Sequence, residues 1–264
     1  MVASDPQVGK VDSDGGTAAL FSRVESMLGQ LGDVMREEPC DEAIVADPGD
    51  IVEGFENVAA QSHTNDLSHP DQLRAARGLL TEIVTTVAVR HATNRVITVP
   101  SNHGQWRKGK DVLGRPGDDY GIDVHRAVAE ALARDSRFAD VAFTIPDPWR
   151  ESLAVQARGA VLGVFHGHQV KQGQAWEWWK GQIGGDLPTA AANILLGGHY
   201  HSWLTVPHGR LGRQPRWFFQ ADTLDNGSAW WANITGDQSE PALMTFTIDD
   251  EGRWHNLRRI TQAR

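Results

Sequence analysis

Four apolar runs in this sequence end in the same way, and this shared ending is the strongest constraint on the fold. Each run is short, passes into small or turn-forming residues, and reaches an aspartate, asparagine or histidine. The runs with their endings are EAIVADPGD (42–50), RVITVPSNHG (95–104), AVLGVFHGH (160–168) and NILLGGHYH (193–201). Short apolar runs are typical of buried strands, and ligand sites in α/β proteins form at the carboxyl ends of such strands. The pattern predicts an α/β protein with a site at these strand ends.

Helical patterns alternate with strands in the first half of the chain, whereas the second half is mostly strand. Apolar residues recur at helical spacing from residue 17, and Thr17 is the predicted N-cap of the first helix. The predicted helices cover 17–31, 70–93, 121–136, 174–183 and 187–193. Two late strands flank the turn sequence DDEG (249–252), which indicates a hairpin.

The chain shows no internal repeat, low-complexity tract or linker that would divide it. Its 264 residues fit one large domain, so we predict a single domain over 1–264 with two facing sheets covered by helices. The first apolar run, MVAS (1–4), is shorter than a core strand should be. We therefore expect either a late start to the domain or a chain that is the catalytic part of a longer protein.

Composition excludes several classes of protein. A net charge of -9 argues against a broad basic surface that coats nucleic acid, although a local basic groove stays possible. The single cysteine, Cys40, cannot form an internal disulfide, which favours a reducing compartment such as the cytoplasm. No apolar run is long enough to span a membrane, and the first residues do not form a signal peptide. We expect no membrane partner.

Metal-binding residue types collect at the predicted strand ends. In chain order they are Asp5, Gln7, Asp50, Asn102, His103, His166, His199 and His201. Carboxylate, amide and imidazole ligands together suit Mn, Fe, Co, Ni or Zn, and their number is natural for two ions. His199 and His201 are two residues apart, so in an extended segment they point to the same side. The alternative for this pair is a polar loop with two solvated imidazoles.

Five of these segments resemble, in order, the motifs of the calcineurin-like metallophosphoesterases. They read SDPQ, GDIVEG, SNHG, FHGH and GGHYHS, and they span residues 4–202. More narrowly, SDPQVGK (4–10) and DTLDNGS (222–228) are similar to nuclease-like phosphoesterases often carried by phages.

The resemblance implies a four-layer αββα sandwich of two mixed sheets and a dinuclear metal site, with Mn²⁺ as the expected metal. Its implied ligands are Asp5, Gln7 and His201 for one ion, Asn102, His166 and His199 for the other, and Asp50 as the bridge. His103 would stay off the metals and act as general acid. A hydroxide shared by the ions would attack phosphorus in line.

The sequence departs from the family pattern at its first motif. Gln7 stands where the family usually has histidine, and an amide oxygen is a weaker, harder ligand, so the first ion should bind loosely or be Mn²⁺. Ser101 replaces the glycine that usually precedes the asparagine. His168 competes with His166 as a ligand, and we expect His168 to face substrate instead.

A basic run with Arg107 and Lys108 follows the expected acid, His103. It either contacts phosphates or forms a solvated face. Asp222 and Asp225 are predicted to belong to a turn.

The sequence thus predicts a metal-dependent phosphodiesterase, with an exonuclease as one form of it, that acts on nucleic acid or nucleotides. Two alternatives stay open. One is a phosphodiesterase of small cyclic nucleotides, which the acidic composition favours, and the other is a degenerate, non-catalytic scaffold for protein binding, which Gln7 and the short first strand favour. The sequence leaves the oligomeric state open.

Overall fold

The computed structural model describes residues 1–57, 61, 63–212 and 214–263. The helices are α1 (Thr17–Glu37), α2 (His69–Ala88), α3 (Tyr120–Leu132), α4 (Ala175–Gly184) and α5 (Ala229–Thr235), with a 3₁₀ turn at Pro116–Asp118. The first strands are β1 (Glu42–Asp47), β2 (Thr93–Thr98), β3 (Arg107–Lys108), β4 (Asp111–Val112), β5 (Ala142–Thr144) and β6 (Ser152–Ala157). The later strands are β7 (Ala160–Phe165), β8 (Ile194–Gly197), β9 (Leu204–Leu211), β10 (Gln214–Gln220), β11 (Ala242–Ile248) and β12 (Trp254–Thr261).

Two mixed sheets contain most of the strands. In the first sheet β1, β2 and β5 run parallel, and Val2 pairs with both Ala46 of β1 and Met244 of β11. The Val2 segment therefore joins the β11–β12 hairpin to the parallel strands. The second sheet has the order β6-β7-β8-β10-β9, with a parallel centre and antiparallel edges. The apparently truncated first strand thus occupies a central position in the first sheet, despite its length.

Apolar side chains fill three layers between the elements. Ile97 of the first sheet packs with Leu196 and Phe219 of the second in the core between the sheets. Helices α1, α2 and α3 cover the outer face of the first sheet through a larger core. On the outer face of the second sheet, Trp179 of α4 is fully buried, and its indole donates to Thr189 O at 2.9 Å. The arrangement confirms the expected α/β fold of two facing mixed sheets flanked by helices.

The structure corrects the sequence-based prediction at the start of α1 and after α4. Thr17 is not the N-cap but the first helical residue; the N-cap is Gly16, and the Thr17 amide and hydroxyl both donate to Asp66 at 2.6 Å. Residues 187–193 form turns rather than a helix, because Thr189 O accepts from the Trp179 indole and the Asn193 amide donates to Val161 O of β7. Among the described residues, no helix has the length and apolarity needed to cross a membrane.

Candidate metal centre

The loops that follow β1, β2, β7 and β8 meet at one edge of the two sheets. His166, directly after β7, places its Nδ1 3.0 Å from Pro48 O in the loop after β1. The amide of Gly198, after β8, donates to His166 O at 2.7 Å. These contacts bring loops of both sheets together, as the repeated strand endings predict.

One cluster of donor atoms forms where these loops meet. We call it the second group, because it contains the ligands predicted for the second ion together with the predicted bridge Asp50. Ligand atoms of Asp50, His166 and His199 all lie within 4.8 Å of one another. His166 Nε2 lies 3.0 Å from Asp50 Oδ2 and 2.8 Å from Asn102 Oδ1. Asp50, Asn102, His166 and His199 therefore supply two oxygen and two nitrogen donors at one point.

The second group fits a divalent cation on two observations. Asp50 Oδ2 is buried and accepts no hydrogen bond from the described residues. If His166 Nδ1 donates to Pro48 O, the other ring nitrogen presents a lone pair towards two oxygen atoms. A cation bound at that point would satisfy all three atoms, and a backbone bond of this kind is how proteins fix a ligating histidine.

The ionisation of the second group also suits metal binding. Burial alone would raise the pKa of Asp50, but the His166 and His103 imidazoles outweigh it and hold the pKa well below the ordinary value. Burial, followed by the neighbouring His166, lowers the pKa of His199 to about 4. A carboxylate and a neutral imidazole are the forms that bind metal ions. Burial alone would lower the pKa of His166, but the neighbouring Asp50 carboxylate outweighs it and raises that pKa, so a bound cation would displace the proton from His166 Nε2.

The remaining predicted ligands, Asp5, Gln7 and His201, form a first group of different character. His201 Nε2 lies 3.4 Å from Asp5 Oδ1, and both carboxylate oxygens of Asp5 accept from the His199 amide. The other ring nitrogen, His201 Nδ1, lies 3.1 Å from Asp225 Oδ2. The Gln7 amide oxygen accepts from Lys10 Nζ at 2.8 Å. The first group thus includes an ammonium that the sequence motifs did not indicate.

Five of the seven predicted ligands have a left-handed backbone. They are Asp5 (φ 51°), Gln7 (φ 45°), Asp50 (φ 53°), His199 (φ 69°) and His201 (φ 52°). Only three other non-glycine residues among those described share this conformation. A residue with a Cβ is strained in the left-handed region, and such strain concentrates at functional sites. Its concentration at these positions indicates that the backbone is shaped to aim these side chains.

His103 lies beside the second group without belonging to it. Its backbone amide donates to Asp50 Oδ1 at 2.8 Å, whereas its Nε2 is 3.9 Å from Asp50 Oδ2. Nδ1 lies 2.8 Å from Glu53 O and 3.2 Å from Glu53 Oε2. Burial alone would lower the pKa of His103, but the charges of Asp50 and Glu53 prevail and raise it to about 9. The imidazole is therefore protonated at neutral pH.

Of the predicted substrate-facing residues, His168 lies beside the second group. The His168 ring is 5.4 Å from the His166 ring and 6.3 Å from the His199 ring. Burial, then His166, lowers the pKa of His168 to about 3, and the charge of Arg107 contributes to this shift. The Arg107 guanidinium itself donates to Gln105 Oε1 at 2.7 Å. Arg107 and Lys108 form β3 of a short hairpin, in which Lys108 is exposed.

Three residues of the site were not predicted from the sequence. Lys10 and Asp225 are buried and paired at 2.5 Å, although they are 215 residues apart in the chain. Asp225 is thus a buried partner of His201, and not merely a turn residue. Glu53 contacts His103. The sequence feature that could have identified Glu53 is its position three residues after Asp50, within the GDIVEG motif.

No family model matches the sequence, and no curated protein matches it closely enough to count as a relative. Solved structures with partial likeness include Vps29 complexed with Zn²⁺ from Entamoeba histolytica, with 18% identity, a TM-score of 0.32, and coverage of 64% of this chain and 83% of that chain. Another is Vps29 from Chaetomium thermophilum, with 11% identity, a TM-score of 0.33, and coverage of 68% of this chain and 87% of that chain. A third is a conserved protein from Streptococcus pneumoniae TIGR4 described as a predicted phosphoesterase. It has 13% identity and a TM-score of 0.34, with coverage of 66% of this chain and 77% of that chain. Likeness at this level carries no conclusion about activity, so function has to be inferred from the site itself.

Proposed function

We propose that this protein is a metal-dependent phosphoesterase of the calcineurin-like kind, and that it hydrolyses phosphodiester bonds of nucleic acid or nucleotides. The observation that carries the proposal is the convergence of Asp50, Asn102, His166 and His199 beside a protonated His103. Metal ligands next to a separate proton donor are what hydrolysis of a phosphate ester needs.

The second group would hold the ion. Two oxygen and two nitrogen donors suit Mn²⁺, Zn²⁺ or a neighbouring divalent metal. When bound, such an ion polarises a phosphoryl oxygen and lowers the pKa of a water molecule. The Pro48 carbonyl holds the His166 ring in place, and the Asp5 carboxylate fixes the loop of His199 through its amide. Both contacts preorganise ligands, which lowers the cost of assembling the site.

His103 would supply the proton. Its Nδ1 contacts both the carbonyl and the carboxylate of Glu53, so the ring is anchored at that nitrogen. The proton on Nε2 is then available for the oxygen of the leaving group. The raised pKa keeps His103 charged at neutral pH, which also stabilises the negative charge that develops on that oxygen.

The surroundings favour a phosphodiester with a base or nucleoside attached. The positive charge of Arg107 acts on His168, and Lys108 on the same short strand is exposed, so this hairpin carries the cationic side chains expected to meet a phosphate. Trp106 directly precedes them and is 49% exposed. An exposed indole next to cationic side chains suits a stacked base followed by a phosphate.

The test is a metal-supplemented activity panel. The chelated protein is assayed with Mn²⁺, Zn²⁺, Co²⁺ and Ni²⁺ on bis-p-nitrophenyl phosphate, single-stranded DNA, duplex DNA and cyclic nucleotides. We expect metal-dependent turnover that His199→Ala abolishes and His255→Ala, on an exposed part of β12, leaves intact. If only the cyclic nucleotides are hydrolysed, the substrate is a cyclic nucleotide and not nucleic acid.

A non-catalytic scaffold is the second candidate, because the Gln7 amide oxygen is engaged by Lys10 rather than free for a metal. A scaffold predicts no turnover with any metal or substrate of the panel. Binding of metal without turnover would therefore support the scaffold.

A further inference from the structure

Apart from the bridge expected from Asp50, the first group lacks a third metal donor of its own. Asp5 and His201 face each other at 3.4 Å, but the oxygen of Gln7 that the motif offers as the next ligand accepts a hydrogen bond from Lys10 Nζ. In the part of the chain that the structure describes, Asp5 and His201 join no trio of His, Cys, Asp or Glu donors that could hold an ion. The first group therefore does not fit a tightly bound ion as the second group does.

The Lys10 ammonium is fixed in place. Lys10 is only 9% exposed, and its Nζ lies 2.5 Å from Asp225 Oδ2. The backbone on both sides of this pair is also anchored: Asn226 Nδ2 donates to Lys10 O at 2.9 Å, and Arg23 donates to Asp225 O at 2.9 Å. Moving the ammonium away would leave the buried Asp225 carboxylate without its lysine partner, which is unfavourable.

The position of Lys10 links two effects on metal binding. Its ammonium removes the amide oxygen of Gln7 from the ligand set, and it adds a positive charge next to Asp225, the carboxylate that contacts His201. A divalent ion in the first group would meet this fixed like charge, with only Asp5, His201 and the shared Asp50 to hold it. The ammonium already supplies positive charge to this acidic group.

We propose that Lys10 serves as the built-in cation of the first group, and that this protein binds a single tight divalent ion, at Asp50, Asn102, His166 and His199. This inference rests on the proposed function only for the second group. It differs from the expectation of two ions because the Gln7 oxygen, which was expected to bind the first ion, accepts a hydrogen bond from Lys10 instead.

Metal stoichiometry tests the proposal without relying on activity. The chelated protein is dialysed against Mn²⁺, its metal content is measured by mass spectrometry, and the bound Mn²⁺ is examined by electron paramagnetic resonance. The wild-type protein should bind one ion and give the spectrum of an isolated Mn²⁺. In Lys10→Met, and more so in Lys10→Met with Gln7→His, a second ion should bind about 10–100-fold more tightly than in wild type and give a spin-coupled pair, since groups next to metal ligands change affinity by this factor.

Two further variants separate charge from packing. Lys10→Arg keeps the positive charge and should stay at one ion, and Lys180→Met, at an exposed lysine of α4, is the matched control for loss of a lysine. If Lys10→Met fails to fold by circular dichroism, Lys10→Met with Asp225→Asn removes both charges of the pair. Two tight ions in wild type, or one ion in every folded Lys10 variant, would overturn the proposal and leave the proposed function standing. No bound ion in wild type would overturn both.

Discussion

Replacing His103 by alanine separates proton donation from metal binding. The His103 backbone amide, which donates to Asp50 Oδ1 at 2.8 Å, is still present in His103→Ala. The side chain makes its closest contacts with Glu53 and comes no nearer than 3.9 Å to Asp50 Oδ2. We therefore expect His103→Ala to keep its metal and to lose turnover.

The expected loss of turnover in His103→Ala is that of a general acid which is charged at neutral pH. Its surroundings raise the pKa from the ordinary 6.5 to about 9. At roughly 1.4 kcal/mol for each pKa unit, they favour the imidazolium by about 3 kcal/mol, so the acid is almost fully protonated at neutral pH. Removing a general acid of this kind typically slows the reaction by about 10²–10⁴-fold.

The assay compares aryl phosphodiesters whose leaving groups differ in basicity. A poor leaving group needs the proton of His103, so His103→Ala should show the full loss with it, whereas a nitrophenolate should show a much smaller one. In wild type, turnover of the poor substrate should fall as the pH rises through a value at or below about 9, because an ion on Asp50 offsets part of the attraction that raises the pKa. His255→Ala is the matched control, since it removes an exposed imidazole of β12.

Two results would refute this reasoning. If His103→Ala loses its metal, His103 belongs to the ligand set. If the variant slows good and poor leaving groups equally, His103 does not donate the proton.

Three further predictions address the ligands, the outer core and acid stability. Asp50→Ala should lose its metal in elemental analysis, whereas Gln7→Ala should keep it, because only Asp50 belongs to the second group; equal loss in both would contradict this assignment. Trp179→Ala should lower the free energy of unfolding by about 3–5 kcal/mol in urea titrations, because a fully buried indole is removed, and a loss below about 1 kcal/mol would show that the site relaxes. Burial lowers the pKa of His125 to about 4, below the unfolded value of 6.5, and raises the pKa of Asp47, whose Oδ2 lies 3.3 Å from His125 Nε2, so burial disfavours charge on both groups. The contribution of neutral His125 to stability is therefore complete above pH 6.5 and is lost as the pH falls towards 4. Between pH 7 and pH 4.5 the chelated wild type should therefore lose about 2–3 kcal/mol more than His125→Gln, and parallel losses would disprove it.

The strand ends were predictable because their signal is local. In each run the apolar residues, the small residue and the polar residue are neighbours in sequence, and the carboxyl-end rule for sheets brings such endings together. Asp50, Asn102, His166 and His199 were found in this way, and the structure brings them to one point.

The first group was not predictable in the same way because its decisive contact is not local. Lys10 meets Asp225 across 215 residues. In the sequence Lys10 lies just before the turn residues DSDGG (12–16), and Asp225 lies in the turn sequence TLDNGS (223–228), so both side chains look solvated. The β9 strand was missed because Pro207 and Gly209 interrupt its apolar pattern, although it pairs with β10 at the edge of the second sheet. Tertiary pairing can override a weak local preference of this kind.

The left-handed backbone at five predicted ligand positions has a consequence for directed evolution of this protein. Glycine adopts that conformation without the penalty of roughly 1–2 kcal/mol that other residues incur. Replacement by glycine at His199, where no buried carboxylate is removed, would therefore relieve strain while deleting a metal-binding side chain from the site. A library screened for thermostability alone would be drawn towards such replacements and would enrich inactive proteins. A screen that recovers stable and active variants has to impose metal retention at every round.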